Sequence, residues 1–217
     1  MLIQELFRDP QFYFAWLIVI VVSICLHELA HGAVAMALGD DTPIRRGRMT
    51  LNPMVHMGPV SLACLALAGI AWGLMPIDPR RLRGRHGRAL VAAAGPATNA
   101  LLALAGIVAL GLWQRFDPRP TRELGQLAAN GQYLLWIFGY ANVTLALFNL
   151  IPFPPLDGSA ILRDFSASFD RLVGGISGPS AAGAMPITLV LFVVAGVAIW
   201  PLGRSIAEHL LIAVRGG

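Results

Sequence analysis

Long apolar runs separated by short polar stretches dominate the chain. Four runs are long enough to cross about 30 Å of hydrocarbon as helices, at 1.5 Å per residue. They cover roughly residues 12–38, 89–113, 132–151 and 185–202. Gly39 directly follows the first run, where a left-handed helix cap is expected. The pattern predicts an all-α polytopic membrane protein with about four transmembrane helices.

A fifth apolar run, at 60–75, is short for a membrane span. It contains Gly69 and Gly73 and ends at Pro76. Arginines flank it on both sides, and basic flanks of a short loop stay on the cytoplasmic face. A run with both flanks on one face must re-enter. We therefore expect a re-entrant or membrane-surface hairpin between residues 44 and 88, with a short β-strand region near 44–50 as a possible edge for substrate. The flanking arginines are Arg45, Arg46, Arg48, Arg80, Arg81, Arg83, Arg85 and Arg88.

Composition agrees with a membrane protein. Of 217 residues, 56% are hydrophobic and only 13% are charged, about half the usual charged share of a soluble domain. We expect one membrane-embedded domain over 1–217, with a catalytic core at about 12–165 and a C-terminal helix at about 185–214. The N-terminus lacks the basic region and cleavage site of a signal peptide, so the first run is interpreted as a mature helix. All basic residues are arginine, and their place between apolar runs indicates topology rather than nucleic-acid binding.

The second half of the first run contains the sequence His-Glu-Leu-Ala-His, at 27–31. Residues four apart on a helix differ by about 40° in direction, so His27 and His31 can share one metal ion. Glu28 lies about 100° from His27, where its carboxylate can take a proton from a metal-activated water. The alternative is a chance motif with hydrogen-bonded core histidines. Ionisable side chains in a membrane are costly, however, and this favours a functional metal site.

A catalytic zinc site usually has three protein ligands and one open position. Candidates for the third ligand include His56, His86, His209 and several carboxylates. We favour Asp157, because Pro152, Pro154 and Pro155 just before it must end a membrane helix and open the backbone. Such irregular backbone is tolerated at membrane depth only where it lines a cavity. A simple Asp-Gly turn is the alternative interpretation of "PPLDG".

Taken together, these segments resemble the site-2 protease family of intramembrane zinc metalloproteases. The likeness covers about residues 12–165 and is ordered along the chain. It rests on "HELAH" (27–31), "LGD" (38–40), "RGRMTLNPMVHMGP" (46–59), "AWGLMPIDPRRLR" (71–83), "ALVAAAGPATNALLAL" (89–104) and "LALFNLIPFPPLDGS" (145–159).

The resemblance implies one catalytic Zn²⁺ held by His27, His31 and Asp157, with Glu28 as the catalytic base. It implies substrate-binding or supporting roles for Asn99 and Asn149. The resemblance also implies that three of the membrane helices form the catalytic core. Independently of it, Asn99 lies with Gly95 and Gly106 on a small-residue face, which would let another helix pack closely and let Asn99 bond to it. The expected substrate is a transmembrane protein cut within or near its membrane segment. The expected location is the multi-pass prokaryotic cell membrane, with the site toward the cytoplasm and with a regulatory membrane partner possible.

One departure from the family pattern and one rival function bear on this reading. Gly58 stands where the family's N-P-x-x-H-x-D-P segment has Asp, which puts any role of His56 in doubt. The chain has no room for the PDZ or CBS domains that some members carry.

The rival function is that of a membrane metal-binding or transport protein, or of an inactive relative. Both ligands of the motif and its glutamate are present, which favours the protease.

Overall fold

The computed structural model describes residues 1–119, 123–176 and 185–216, and most of them are helical. A short 3-10 turn, Leu2–Gln4, precedes the helices. All four long apolar runs are helices, as predicted, namely α2, α6, α7 and α10. The helices are α1 (Glu5–Arg8), α2 (Pro10–Ala37), α3 (Thr42–Arg45), α4 (Pro53–His56), α5 (Gly58–Ala68), α6 (Gly87–Phe116), α7 (Gln126–Asn149), α8 (Asp157–Phe165), α9 (Ala167–Ile176) and α10 (Met185–Arg215).

The ends of α2 follow local rules of helix termination. Asp9 caps the N-terminus by accepting a hydrogen bond from the Phe12 N–H at 3.0 Å, and Pro10 occupies the first turn. The helix stops at Ala37, and Gly39 adopts a positive φ of 101°. The predicted glycine cap is confirmed, and it turns the chain away just after the His-Glu motif.

Helix α6 is the central element of the described fold. It packs against α2, α7, α8 and α10. The core shared by α2, α6 and α7 contains Trp16, Val19, Ile107, Ile137 and Tyr140. Gly106 of α6 faces Gly139 of α7 so closely that a Cβ at 106 would lie 3.2 Å from the Gly139 nitrogen. Small residues thus allow the close approach of α6 and α7 that was expected from the small-residue face.

The region at 44–88 is a hairpin rather than a fifth long helix. Helix α5 has 11 residues, about 16 Å, and ends at Gly69, whose φ is 84°. The chain then returns along α5: the Ser61 hydroxyl bonds both the N–H and the carbonyl of Trp72, at 2.9 and 2.7 Å. The Leu74 N–H donates to the His56 carbonyl at 3.1 Å. The predicted chain reversal is therefore present.

One part of the fold prediction needs correction, and another is confirmed only in part. The part of the chain that the structure describes contains no β-strand, so the strand near 44–50 was wrong. That segment instead begins in α3, where Pro43 lies in the first turn and Arg45 pairs with Asp41 at 2.6 Å, and it then reverses at Gly47, whose φ is 62°. Within the same described residues, two helices, α2 and α6, are long and apolar enough to cross a membrane. Four spans are not established.

Candidate metal centre

The second half of α2 presents three ionisable side chains, all buried. His27, Glu28 and His31 each expose less than a tenth of their surface, at 7%, 6% and 6%. The one-turn spacing brings the Nε2 atoms of His27 and His31 to 2.9 Å from each other. The helix therefore supplies two imidazole nitrogens directed at one point, as the four-residue spacing predicted.

Asp157 approaches the same point from the start of α8. The proline-rich stretch after α7 is not helical, and α8 begins at Asp157 itself. Its Oδ2 lies 3.1 Å from the His27 Nε2, and its Oδ1 lies 3.4 Å from the His31 Nε2. Gly158 packs directly on the Leu150 carbonyl, so a side chain at 158 would push the aspartate away. The structure thus places Asp157 with the two histidines, in one group able to hold a metal ion.

The donor set suits a cation. The Nδ1 atoms of His27 and His31 bond to the Asn99 Oδ1 at 2.6 Å and to the Val91 carbonyl at 2.7 Å. Both of these oxygens accept, so each Nδ1 carries the proton and each Nε2 presents a lone pair. The Asp157 Oδ2 is buried and accepts no hydrogen bond. Three lone-pair donors this close repel one another unless a proton or a metal ion lies between them. Two imidazoles and a carboxylate with an open side suit Zn²⁺.

Two glycines make room for these side chains. A Cβ on Gly95 of α6 would overlap the His27 ring and lie 2.5 Å from the His31 Nε2. A Cβ on Gly73, in the returning arm of the hairpin, would overlap the Glu28 carboxylate. The backbone of α6 therefore packs directly against the His27 and His31 rings. The backbone of the hairpin packs directly against the Glu28 carboxylate. We had not predicted either role, because both depend on which faces meet in the fold.

Asp40 ties the hairpin to the end of α2. Its carboxylate is fully buried and accepts hydrogen bonds from the Thr42 N–H at 3.0 Å and the Asp78 N–H at 2.7 Å. Burial acts to raise the pKa of Asp40. The bonds from Thr42 and Asp78, together with the nearby Arg81 charge, outweigh burial and hold that pKa below its ordinary value. The hairpin is thereby held over the site by an ionised carboxylate.

The two predicted asparagines lie in different places. Asn99 is fully buried behind His27, and its side-chain nitrogen donates to the Asn142 Oδ1 at 2.8 Å. It therefore supports a ligand and makes the expected bond to another helix. Asn149 is half-buried and donates to the Leu145 carbonyl of its own helix at 3.0 Å, outside the ligand group. Asn142 was missed, although an amide in an apolar helix is itself a signal.

The other three histidines lie apart from the ligand group. His56 is buried and its Nε2 lies 2.5 Å from the Thr50 carbonyl. His86 caps α6 and stacks on Phe165, and His209 is exposed on α10. The choice of Asp157 among the candidate third ligands agrees with this geometry.

Comparison with known proteins gives the same assignment. The model of peptidase family M50 matches residues 118–195, which include Asp157. The protein YwhC of Bacillus subtilis is 37% identical over 149 residues, which cover 68% of this chain and 67% of YwhC. The chain belongs to peptidase family M50. This is the site-2 protease family, so the predicted family and the predicted class of enzyme, a zinc metalloprotease, are confirmed.

Other M50 relatives are more distant. Rip2 of Mycolicibacterium smegmatis is 32% identical over 151 residues, covering 66% of this chain and 54% of Rip2. A zinc metalloprotease of Methanocaldococcus jannaschii is 30% identical over 159 residues, covering 73% of this chain and 36% of the relative. The chain thus spans about two thirds of YwhC and about half of that Rip2. No solved structure matches the chain at a significant level. The M50 assignment and the ligand group together confirm the predicted zinc cofactor.

Proposed function

We propose that this M50 protein is an intramembrane endopeptidase that hydrolyses peptide bonds within or near the transmembrane segments of other membrane proteins. The observation that carries the proposal is the position of the ligand group. His27, Glu28 and His31 lie in the second half of α2, a 28-residue apolar helix long enough to cross a membrane. A metal group held in a membrane-spanning helix would act on peptide bonds at the depth of the bilayer.

Glu28 is the proposed general base. It is adjacent in sequence to the ligand His27, is buried, and is held against Gly73 by contact with the hairpin backbone. A zinc ion bound by His27, His31 and Asp157 would polarise a peptide carbonyl and lower the pKa of a water toward 7. Glu28 accepts the proton of the attacking water and later delivers it to the leaving nitrogen. Removing such a group typically slows a reaction by about 10² to 10⁴-fold.

The surface of the long helices and the hairpin supports contact with lipid. Large apolar side chains are exposed on α2, α6 and the hairpin, where a water-soluble protein would bury them. On the hairpin the exposed residues include Leu67, Ile70, Trp72 and Leu74. We therefore propose that the hairpin lies in the membrane beside α2, and that a transmembrane substrate enters from the lipid.

The arginines support a cytoplasmic site. Arg81 of the second flank pairs with Asp41 at 2.8 Å, and the Arg83 N–H donates to the Leu38 carbonyl at 2.8 Å. Both flanks of the hairpin therefore lie at the end of α2 that follows the metal ligands. Clustered arginines mark the cytoplasmic side of a membrane protein. An Arg85→Cys variant should react with a membrane-impermeant maleimide only after the cell membrane is opened, and labelling of intact cells would contradict this orientation.

The proposed activity is tested with purified protein in liposomes. Wild type, Glu28→Gln and a control, Glu208→Gln, are compared for zinc content and for cleavage of a model transmembrane substrate. Glu208 is an exposed glutamate of α10 paired with Arg204, far from the ligands in sequence and in the fold. Mass spectrometry of the products locates the cut.

We expect stoichiometric zinc in all three proteins, with cleavage in wild type and Glu208→Gln only. Products cut within the membrane segment would support the substrate class, and cuts only in soluble loops would contradict it. Activity of Glu28→Gln near that of wild type would remove Glu28 as the base. Absence of zinc from wild type would overturn the metal centre.

A further inference from the structure

A chain of buried polar groups runs from α7 through α6 to the ligand His27. Ser23, Asn99 and Asn142 are each fully buried, in three different helices. The Asn142 side-chain nitrogen donates to the Phe138 carbonyl and to the Ser23 hydroxyl, both at 2.9 Å. Asn99 donates to Asn142 and accepts from His27. Each amide of the chain therefore has partners on both its oxygen and its nitrogen.

The direction of every bond in this chain is set at one end. The Phe138 carbonyl can only accept, so Asn142 must turn its NH₂ group toward it and its oxygen toward Asn99. Asn99 must then present its own NH₂ group to Asn142 and its oxygen to His27. An amide oxygen also only accepts, which leaves His27 Nδ1 as the donor. The Phe138 carbonyl thus determines, through Asn142 and Asn99, which ring nitrogen of His27 carries the proton.

We propose that Asn142 and Asn99 are positioning residues that hold His27 in the tautomer with its proton on Nδ1, so that Nε2 is bare for zinc before the metal arrives. His31 needs no such chain, because a backbone carbonyl, that of Val91, fixes its Nδ1 directly. The partner of His27 is instead the side-chain amide of Asn99, which can rotate so that its oxygen and nitrogen exchange positions. Asn142 removes that freedom. The polar chain therefore has a function beyond holding three helices together.

The experiment uses zinc-free protein in detergent micelles, labelled with ¹⁵N in histidine, with the His27 signals assigned from a His27→Gln variant. In wild type we expect His27 to carry its proton on Nδ1. Asn142→Leu leaves Asn99 free to turn, and we expect a mixture of tautomers and zinc binding at least 10-fold weaker in chelator competition. Asn142→Asp keeps an acceptor opposite Asn99, and we expect it to keep the wild-type tautomer.

Thr144→Val is the matched control. Thr144 is a buried polar residue of the same helix, and its hydroxyl donates within that helix to the Tyr140 carbonyl at 3.0 Å. Its loss should lower stability without moving the His27 signals or the zinc affinity beyond about 3-fold, whereas general loosening of the core would change both variants alike.

Two results would overturn the proposal. One is a wild-type His27 protonated on Nε2 in the zinc-free protein, which needs no variant to fold. The other is an Asn142→Leu protein with an unchanged tautomer and zinc affinity within 3-fold of wild type. The inference concerns the zinc centre and not the reaction, so failure of the cleavage experiment alone would leave it standing.

Discussion

The glycine at position 95 offers the sharpest test of the metal centre. The change to alanine adds one methyl group, and in a helix interior it normally raises stability by about 1 kcal/mol. Here the new Cβ would overlap the His27 ring and lie 2.5 Å from the His31 Nε2, where 3.4 Å is an ordinary contact. The substitution should therefore impair zinc binding although alanine is the better helix former.

The size of the effect follows from the bonds that fix the rings. Relieving the contact with His31 requires the ring to retreat by about 0.9 Å from α6. The same helix carries Val91, whose carbonyl holds the ring by a 2.7 Å bond. A retreat of that size stretches the bond to about 3.6 Å, beyond hydrogen-bonding range. Zinc–ligand distances tolerate only about 0.2 Å. We expect zinc affinity to fall at least 100-fold, or about 2.7 kcal/mol.

The assay is competition with a zinc chelator, with thermal unfolding measured on the same zinc-free samples. Gly106→Ala is the control, because it adds a methyl group to the same helix against Phe138 and Gly139, away from the ligands. It should change the unfolding temperature and leave zinc affinity within 3-fold. A Gly95→Ala protein that binds zinc as tightly as wild type would refute the described approach of α6 to the histidines.

Three further predictions concern the hairpin. Gly73→Ala should displace the Glu28 carboxylate and lower cleavage about 100-fold with zinc still bound, as measured by activity against metal content. Ser61→Ala leaves both backbone groups of Trp72 unpaired and should cost about 2–3 kcal/mol in thermal unfolding. Because the pKa of Asp40 is lower in the folded protein than the unfolded value of about 3.9, its stabilisation is present above about pH 4 and is lost as the pH falls through the folded pKa. Asp40→Asn should therefore have a lower melting temperature than wild type at pH 7. Below pH 4, the difference in melting temperature between the two proteins should become smaller. Equal differences at both pH values would count against the ionised role of Asp40.

The grouping of His27, His31 and Asp157 could be predicted from the sequence because it is local or is signalled locally. His27 and His31 share a helix face through spacing alone, and a four-residue separation fixes that without knowledge of the fold. The prediction of Asp157 needed a second signal. The prolines before it indicate that a helix ends there, and α7 does end at Asn149. Both signals can be interpreted from the sequence alone because neither depends on the register between helices.

The supporting residues could not be predicted in the same way. Gly95 was expected to serve helix packing, and it is instead the point where α6 passes the ligand rings. That role depends on the rotation of α6 about its own axis relative to α2, which no local pattern encodes. The same holds for Asn142, whose partners lie on two other helices. The strand expected near 44–50 failed for a local reason, since Pro43 and Gly47 favour a helical turn and a reversal there.

The ligands come from opposite ends of the helical core: two from α2, near the start of the chain, and the third from α8, after α7. During synthesis, a chain that has emerged only as far as α6 holds both imidazoles and Glu28 but no carboxylate ligand. Since ligand groups brought together by the fold couple metal binding to folding, tight zinc binding must wait for α7 and α8 to dock. A chain that ends before α8 therefore lacks the third member of the ligand group, and the centre is complete only once residues from both ends of the core have been made.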